Sequence, residues 1–335
     1  MNSSCQDLFD RLPDDVVLSI FDKLQDAKSL CLSMSVCKRF HSIAPQVINI
    51  YLPVPHKKPG LADHETQKNS IKNLLLKTLL KPFHLISQMI KPKPKNEEQD
   101  LDFYSHYVPN QILKPFEQIR ALHLKLPCQK PGSKLKPGKN SALLKWKADF
   151  GRELRSCVIL GAQSWSECSP EQSDSKESRF LSEDELKVRI VWTISCLIAA
   201  SARHYLVGEA VRALEKVENV EVSDESNQGR LCMNKDEILE MREMKGKGGD
   251  EVLEYRSRIP ALRMNMWFLE RVEAAGKVME GATLVVIRPT GGGRGAGLSD
   301  SDMVAGAFGE EEGIDEAVRK LMVTKKCYTL EMNAF

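Results

Sequence analysis

Charge of one sign is what this chain most conspicuously lacks. Against 48 Lys and Arg stand 46 Asp and Glu, a net +2 over 335 residues, which excludes a strongly basic nucleic-acid binder as the default. Aromatics are scarce, at 6%, so a core has to rest on Leu, Ile, Val and Met. No Cys-x-x-Cys pair occurs among the nine cysteines, which removes the paired thiolates of a structural zinc site. Their odd number and wide scatter fit reduced thiols in the cytosol or nucleus. The apolar uncharged run Ile190 to Ala202, between Arg189 and Arg203, falls short of the about 20 residues that a bilayer requires, so no membrane span is expected. The opening Met-Asn-Ser-Ser-Cys-Gln-Asp has no basic stretch leading into an apolar run, and no secretory leader is expected.

What is present is a globular balance, 42% hydrophobic and 28% charged, long enough for two domains. The near-neutral total hides an asymmetry. Residues 1–55 carry a net −1, residues 56–150 a net +10 and residues 151–335 a net −7, as expected for segments with different tasks.

In the first fifty residues, Leu12-Pro13-Asp14-Asp15 leads into Val16-Val17-Leu18-Ser19-Ile20-Phe21-Asp22-Lys23-Leu24. Proline is tolerated in a first helical turn, and the two aspartates complement the positive end of the helix dipole. Val16 or Val17, then Ile20 and Phe21, then Leu24 form an apolar stripe at helical spacing. Residues 25–28 read as a polar turn. A second short helix carries Leu30, Cys31, Met34 and Val36, and a third begins at Cys37 and stops at Pro45. About 40 residues of such helices cannot enclose a sufficient core alone, so part of this apolar surface belongs to a partner or to the rest of the chain.

This stretch resembles the F-box. The matching features are Leu12-Pro13-Asp14-Asp15, the pair Ile20-Phe21, Leu24, Leu30, and Val36-Cys37-Lys38-Arg39-Phe40 followed by Ile43. Phe40 stands where Trp is commoner, and the turn between Leu24 and Leu30 is one residue longer than the usual form. The Asp-Ala-Lys-Ser-Leu turn at 26–30 is similar to that of a plant subgroup. The resemblance implies a module that docks on a Skp-type adaptor, and through it on a cullin, in an SCF (Skp–cullin–F-box) ubiquitin ligase. Carried over by position, the implied adaptor contacts are Leu12, Pro13, Val17, Ile20, Phe21, Leu24, Leu30, Val36, Cys37 and Phe40, some of them facing inward.

Residues 53–110 read as a basic, proline-punctuated connector between the F-box (1–52) and a substrate-recognition domain (111–335). Lys91-Pro92-Lys93-Pro94-Lys95 is extended and solvated, and Ile71 to Leu80 has a short basic amphipathic pattern. Cys128 to Asn140 and Ser169 to Ser178 read as loops. Strict alternation marks Gln118 to Leu126 as a strand. Leu154 to Leu160, ending at Gly161, reads as a more buried one. Ser182-Glu183-Asp184-Glu185 caps a long helix reaching about Lys216 and packed on two sides between Val191 and Ala202. Further strands are expected at 219–222, 230–233, 261–268, 283–288 and 328–332, with a helix at 315–324. The fold class is therefore α+β: three short N-terminal helices, then an α/β domain with some parallel pairing. The strand Ile119 to Leu126 is similar to those of leucine-rich repeats, but no fixed period occurs, so any such layer is irregular.

Catalytic chemistry of the chain's own finds little support. The missing Cys-x-x-Cys pairs exclude a RING that would recruit a conjugating enzyme. His64-Glu65 begins a zincin motif, but Lys68 stands where the second His ligand belongs. The glycine cluster 291–297 follows a strand, as phosphate loops do, but no Lys-Ser/Thr closes it and Ser299-Asp300-Ser301-Asp302 would repel phosphate. A nucleotide-binding enzyme using that loop, and an adaptor-binding protein acting outside a cullin ligase, are the alternatives. The main expectation is a non-catalytic receptor in nucleus or cytoplasm, presenting an unidentified protein target, without metal, cofactor, nucleic acid or membrane.

Overall fold

In the computed structural model the described residues are 8–54, 110–127, 141–167, 179–243, 257–291, 299–309, 313–324 and 326–334. The amphipathic stretch at 71–80, the lysine–proline run at 91–95, His64 with Lys68, the loops at 128–140 and 169–178, and glycines 292, 293, 295 and 297 lie outside them.

Local capping chemistry sets the N-terminal helices. Pro13 occupies the N-cap position of α1 (Asp14–Leu24), with Asp14 and Asp15 in its first turn. Gln25 ends that helix at a left-handed φ of 53°. Asp26 at once caps α2 (Ala27–Met34), its carboxylate accepting from the Ser29 N–H at 2.8 Å. The polar turn is therefore shorter than residues 25–28, because the Asp26 cap draws Ala27 and Lys28 into the helix. The Cys37 sulfur caps α3 (Lys38–Ile43) by accepting the Phe40 N–H at 3.5 Å. Pro45 then sits in a 3₁₀ turn, Ala44–Gln46.

The chain next forms β1 (Asn49–Pro53), and the expected domain boundary at residue 52 falls inside this strand. After the short α4 (Asn110–Leu113), β1 pairs in parallel with β2 (Ala121–Leu126), whose alternation buries Leu122, Leu124 and Leu126 on one face. Two strands follow, β3 (Ser141–Phe150) and β4 (Leu154–Glu167), then the long α5 (Glu183–Ala213) and the pair β5 (Asn219–Asp224) and β6 (Gly229–Met233). The chain continues through α6 (Lys235–Arg242), the hairpin β7 (Leu262–Ala274) and β8 (Lys277–Pro289), α7 (Asp300–Val304), α8 (Ile314–Val323) and β9 (Cys327–Met332). All nine strands make one mixed sheet in the order β1-β2-β5-β6-β3-β4-β8-β7-β9. Parallel pairing joins β1 to β2, β2 to β5 and β3 to β6; the other neighbours are antiparallel. The architecture is α+β, with mixed-sheet and helical layers behind the N-terminal helices.

Three elements differ from their sequence reading. β4 does not end at Gly161 but runs through it. A Cβ there would stand 2.9 Å from the Trp192 ring of α5, so this glycine permits close helix–sheet approach. β7 and β8 are longer than 261–268 and 283–288, because they meet in a tight hairpin where Ala275 and Gly276 take φ of 50° and 73°. The long helix stops at Ala213, and its Ser182–Glu185 capping box is formed in full. By length and a mean hydropathy of 1.4, α5 could cross a membrane. Here it lies on the sheet, with Cys196, Leu197, Ala200, Val207, Ala210 and Val211 buried.

One apolar cluster joins the N-terminal helices to the sheet. Val17, Phe21, Leu30, Ile43 and Val47 belong to the same core as Ile50, Leu122, Val220 and Val211. A second cluster lies under α7 and α8, where Val158, Leu160, Leu284 and Val286 meet Val304, Ile314, Val318 and Leu321.

Candidate functional site

The helical period of α1 produces two adjoining apolar stripes, and the fold uses them differently. Val17 and Phe21, 0% and 4% exposed, point into the shared core. Val16, Ile20 and Leu24, spaced by four residues, lie side by side on the outside at 42%, 39% and 42%. Leu8, Phe9, Leu32, Val36 and Ile48 are further exposed apolar side chains of the same N-terminal region. Scattered exposed leucines need no explanation, but several concentrated in some forty residues of otherwise well-packed helices do.

Arg39 fixes how this region enters the fold. Its guanidinium donates to Asp14 Oδ1 at 2.8 Å, to the Phe9 carbonyl at 2.7 Å and to the Leu12 carbonyl. It thereby ties the turn before α1 to α3, so the basic residue of the Cys-Lys-Arg motif has a structural task. Edge-to-face rings continue that joint inward: Phe9 on Phe40 at 5.6 Å, and Phe40 on Phe21 at 5.3 Å. Asp22 Oδ1 accepts the Ile48 N–H at 3.0 Å, and the Gln25 carbonyl accepts the Tyr51 N–H at 2.9 Å. Both contacts hold α1 against the entry to β1.

The ten residues implied by the resemblance therefore do not share one face. Pro13, Ile20, Leu24, Val36 and Cys37 are exposed, and Leu12 and Phe40 are half-buried. Val17, Phe21 and Leu30 are buried, which makes them core residues beneath the exposed apolar side chains. Leu8, Phe9, Val16, Leu32 and Ile48 are exposed apolar side chains outside the implied set. Val16 and Val17 both fit the helical stripe in sequence, but an offset of one residue moves a side chain about 100° around a helix.

Burial raises the thiol of Cys157 and pushes those of Cys196 and Cys232 up to about 12, which suppresses their thiolates. His204 of α5 stacks on Phe150 at 4.7 Å, with Nε2 2.9 Å from the Gly151 carbonyl and Nδ1 2.8 Å from Ser257 Oγ. Burial pushes it down to about 4, so it is a neutral core histidine.

The F-box-like family model matches residues 9–47, the span from Phe9 through the three helices to Val47. Similarity to curated proteins runs over the whole chain. F-box protein AUF2 of Arabidopsis thaliana is 35% identical over 98% of this chain and 100% of its own length. F-box protein AUF1 of the same plant is 34% identical with the same coverage. F-box protein At1g30200, also from Arabidopsis thaliana, is 33% identical over 98% of this chain and 94% of its own length. No solved structure matches the chain. The helices at 14–43, the motif residues that build them and this full-length similarity place the chain in the family of plant F-box proteins.

Proposed function

We propose that this chain is the substrate-recognition subunit of an SCF-type ubiquitin ligase, working in the nucleus or cytoplasm. Its exposed apolar residues, with Val16, Ile20 and Leu24 at the centre and Pro13, Val36 and Cys37 beside them, bind a Skp-type adaptor that joins the chain to a cullin. F-box domains in general bind such adaptors. The observation that carries the reading is the division of α1 into a buried stripe serving the fold and an exposed apolar stripe that lies outside the core cluster of the described residues. The domain of residues 111–335 holds the target protein. The mechanism is positional: holding a target near a charged conjugating enzyme raises the effective concentration of its acceptor lysine, and the chain performs no bond chemistry.

The N-terminal helices share a core with the sheet, so target and adaptor are held in a fixed mutual orientation rather than tethered. Co-purification tests the reading. Wild-type chain is expected to bring down both adaptor and cullin, and Ile20→Asp with Leu24→Asp neither, with an unchanged circular dichroism spectrum. Adaptor capture without cullin would refute the ligase role.

A further inference from the structure

Among the described residues the two faces of the sheet are unequally covered. The face bearing the main core is packed by the N-terminal helices and α5. On the opposite face α7 and α8 cover β4, β8 and β7, whereas β1, β2, β5, β6 and β3 present polar side chains there. The strand register aligns Tyr51, His123, Glu221, Cys232, Asp149 and Ser156 in one row across six strands. Each is only half-buried. A cleft of about 780 Å³ is lined by every residue of this row but Tyr51, and by Arg288, Pro289 and Met303 as well.

Among the described residues the charges of the cleft do not balance. Its walls carry Asp149, Glu153, Glu221, Asp236, Glu237 and Glu240 against Lys147, Arg155 and Arg288. All three cations are already engaged: Lys147 with Asp149 at 3.2 Å, Arg155 with Glu240, and Arg288 with Asp300 of α7. Glu153, Glu221, Asp236 and Glu237 have no Lys or Arg ion pair among the described residues, and Glu221 has only His123 at 3.7 Å. Burial, then the neighbouring Asp149 and Glu240 carboxylates, push Glu237 up to about 7. The next row of the sheet is basic, with Lys125 and Arg230. Arg230 donates to the carbonyls of Ala307 at 2.8 Å and Gly306 at 3.3 Å, and Lys125 to Asn227, and neither lines the cleft.

We infer that this uncovered polar half of the sheet is the target-docking surface, and that the target lays a Lys- or Arg-bearing segment into the cleft. The inference rests on the receptor reading above and adds to it the surface and the chemistry of the target. A wide cleft walled by carboxylates suits a chain with several cationic side chains better than an apolar small molecule, whose sites are enclosed and apolar. Cationic groups would pair with carboxylates that have no Lys or Arg ion pair among the described residues, giving both specificity and steering.

The test uses the full-length chain mixed with a purified Skp-type adaptor, and fluorescein-labelled short peptides of alternating Lys and Ser or of alternating Glu and Ser. Fluorescence anisotropy follows binding to wild type, to a cleft variant (Glu153→Gln, Glu221→Gln, Asp236→Asn) and to a control variant with the same charge change outside the cleft (Glu183→Gln, Asp184→Asn, Glu331→Gln). Glu237 stays unchanged because its carboxylate completes the α6 cap. The expected result is salt-sensitive binding of the Lys–Ser peptide, weakened about tenfold or more by the cleft variant and little by the control. Absent binding, equal weakening by the two variants, or tighter binding of the Glu–Ser peptide would overturn the inference. Adaptor capture is read in the same samples. Its loss in wild type would count against the receptor reading, whereas capture retained beside lost peptide binding in the cleft variant isolates the docking surface.

Discussion

Truncating Phe21 should weaken the whole molecule, not only its N-terminal helices. Phe21 is 4% exposed, packs edge-to-face on Phe40 at 5.3 Å and lies in the apolar cluster that continues through Ile50 and Leu122 into the sheet. A buried Phe→Ala change costs about 3–5 kcal/mol through lost transfer energy and the cavity left behind. For a chain of this size that lowers Tm on the order of 10 °C. All four tryptophans, Trp146, Trp165, Trp192 and Trp267, lie beyond residue 140, so tryptophan fluorescence reports the sheet domain alone. In urea, Phe21→Ala is expected to shift the fluorescence midpoint and the far-UV dichroism midpoint together. A dichroism transition that moves to lower urea while the fluorescence transition stays in place would refute the shared core, since the helices would then unfold as a separate module.

Three further outcomes follow from other sites. Asp224 and Arg203 form an ion pair, each side chain 11% exposed, and Asp224 also accepts the Gln228 and Gly229 N–H groups; Asp224→Ala should cost about 3–5 kcal/mol by leaving a buried charge unpaired, and an effect under about 1 kcal/mol in urea unfolding would contradict the pairing. Gly161→Ala should cost about 1–3 kcal/mol by driving a methyl into the Trp192 ring, and combining it with Trp192→Leu should recover most of that loss. His204, at about 4 in the fold against its ordinary 6.5, binds its proton more readily when unfolded. Stability should therefore fall by up to about 3 kcal/mol as pH drops from 6.5 towards 4, with the His204→Asn variant losing that slope in pH-dependent urea unfolding.

The N-terminal helices were legible because three signals agreed: a proline before the first turn, aspartates at its positive end, and an apolar period of three to four. The same period could not say which of two adjoining stripes faced the sheet, because Val16 and Val17 are chemically alike and only the position of β1 and β2 separates them. β2 was legible because one of its faces is buried and its alternation is clean. β3 was as legible but was not read: Leu144, Trp146, Ala148 and Phe150 alternate with Lys145, Lys147 and Asp149, and only its start is blurred, where Leu143 and Leu144 pack into opposite cores. Gly161 read as the end of a strand when its role is contact with Trp192. The outer halves of β7 and β8 are masked by Glu270, Arg271, Glu273, Lys277 and Glu280, which pair across the hairpin and with neighbours. The α6 helix carried no expectation, although its cap, Asn234 with Glu237, is a local signal. The polar row across six strands depends on register between residues as far apart in sequence as His123 and Glu221, which no local pattern encodes.

The central claim, that the exposed stripe of α1 is an adaptor-docking surface on an otherwise self-contained fold, is tested most directly by calorimetric titration of the full-length chain with a purified Skp-type adaptor, comparing wild type with the Ile20→Asp, Leu24→Asp double variant. Burying two carboxylates in an apolar interface should cost about 4 kcal/mol or more, a loss of affinity of roughly a thousandfold, while urea unfolding of the variant alone stays close to wild type. Retained affinity in the double variant, or a loss that accompanies unfolding of the sheet, would contradict the account.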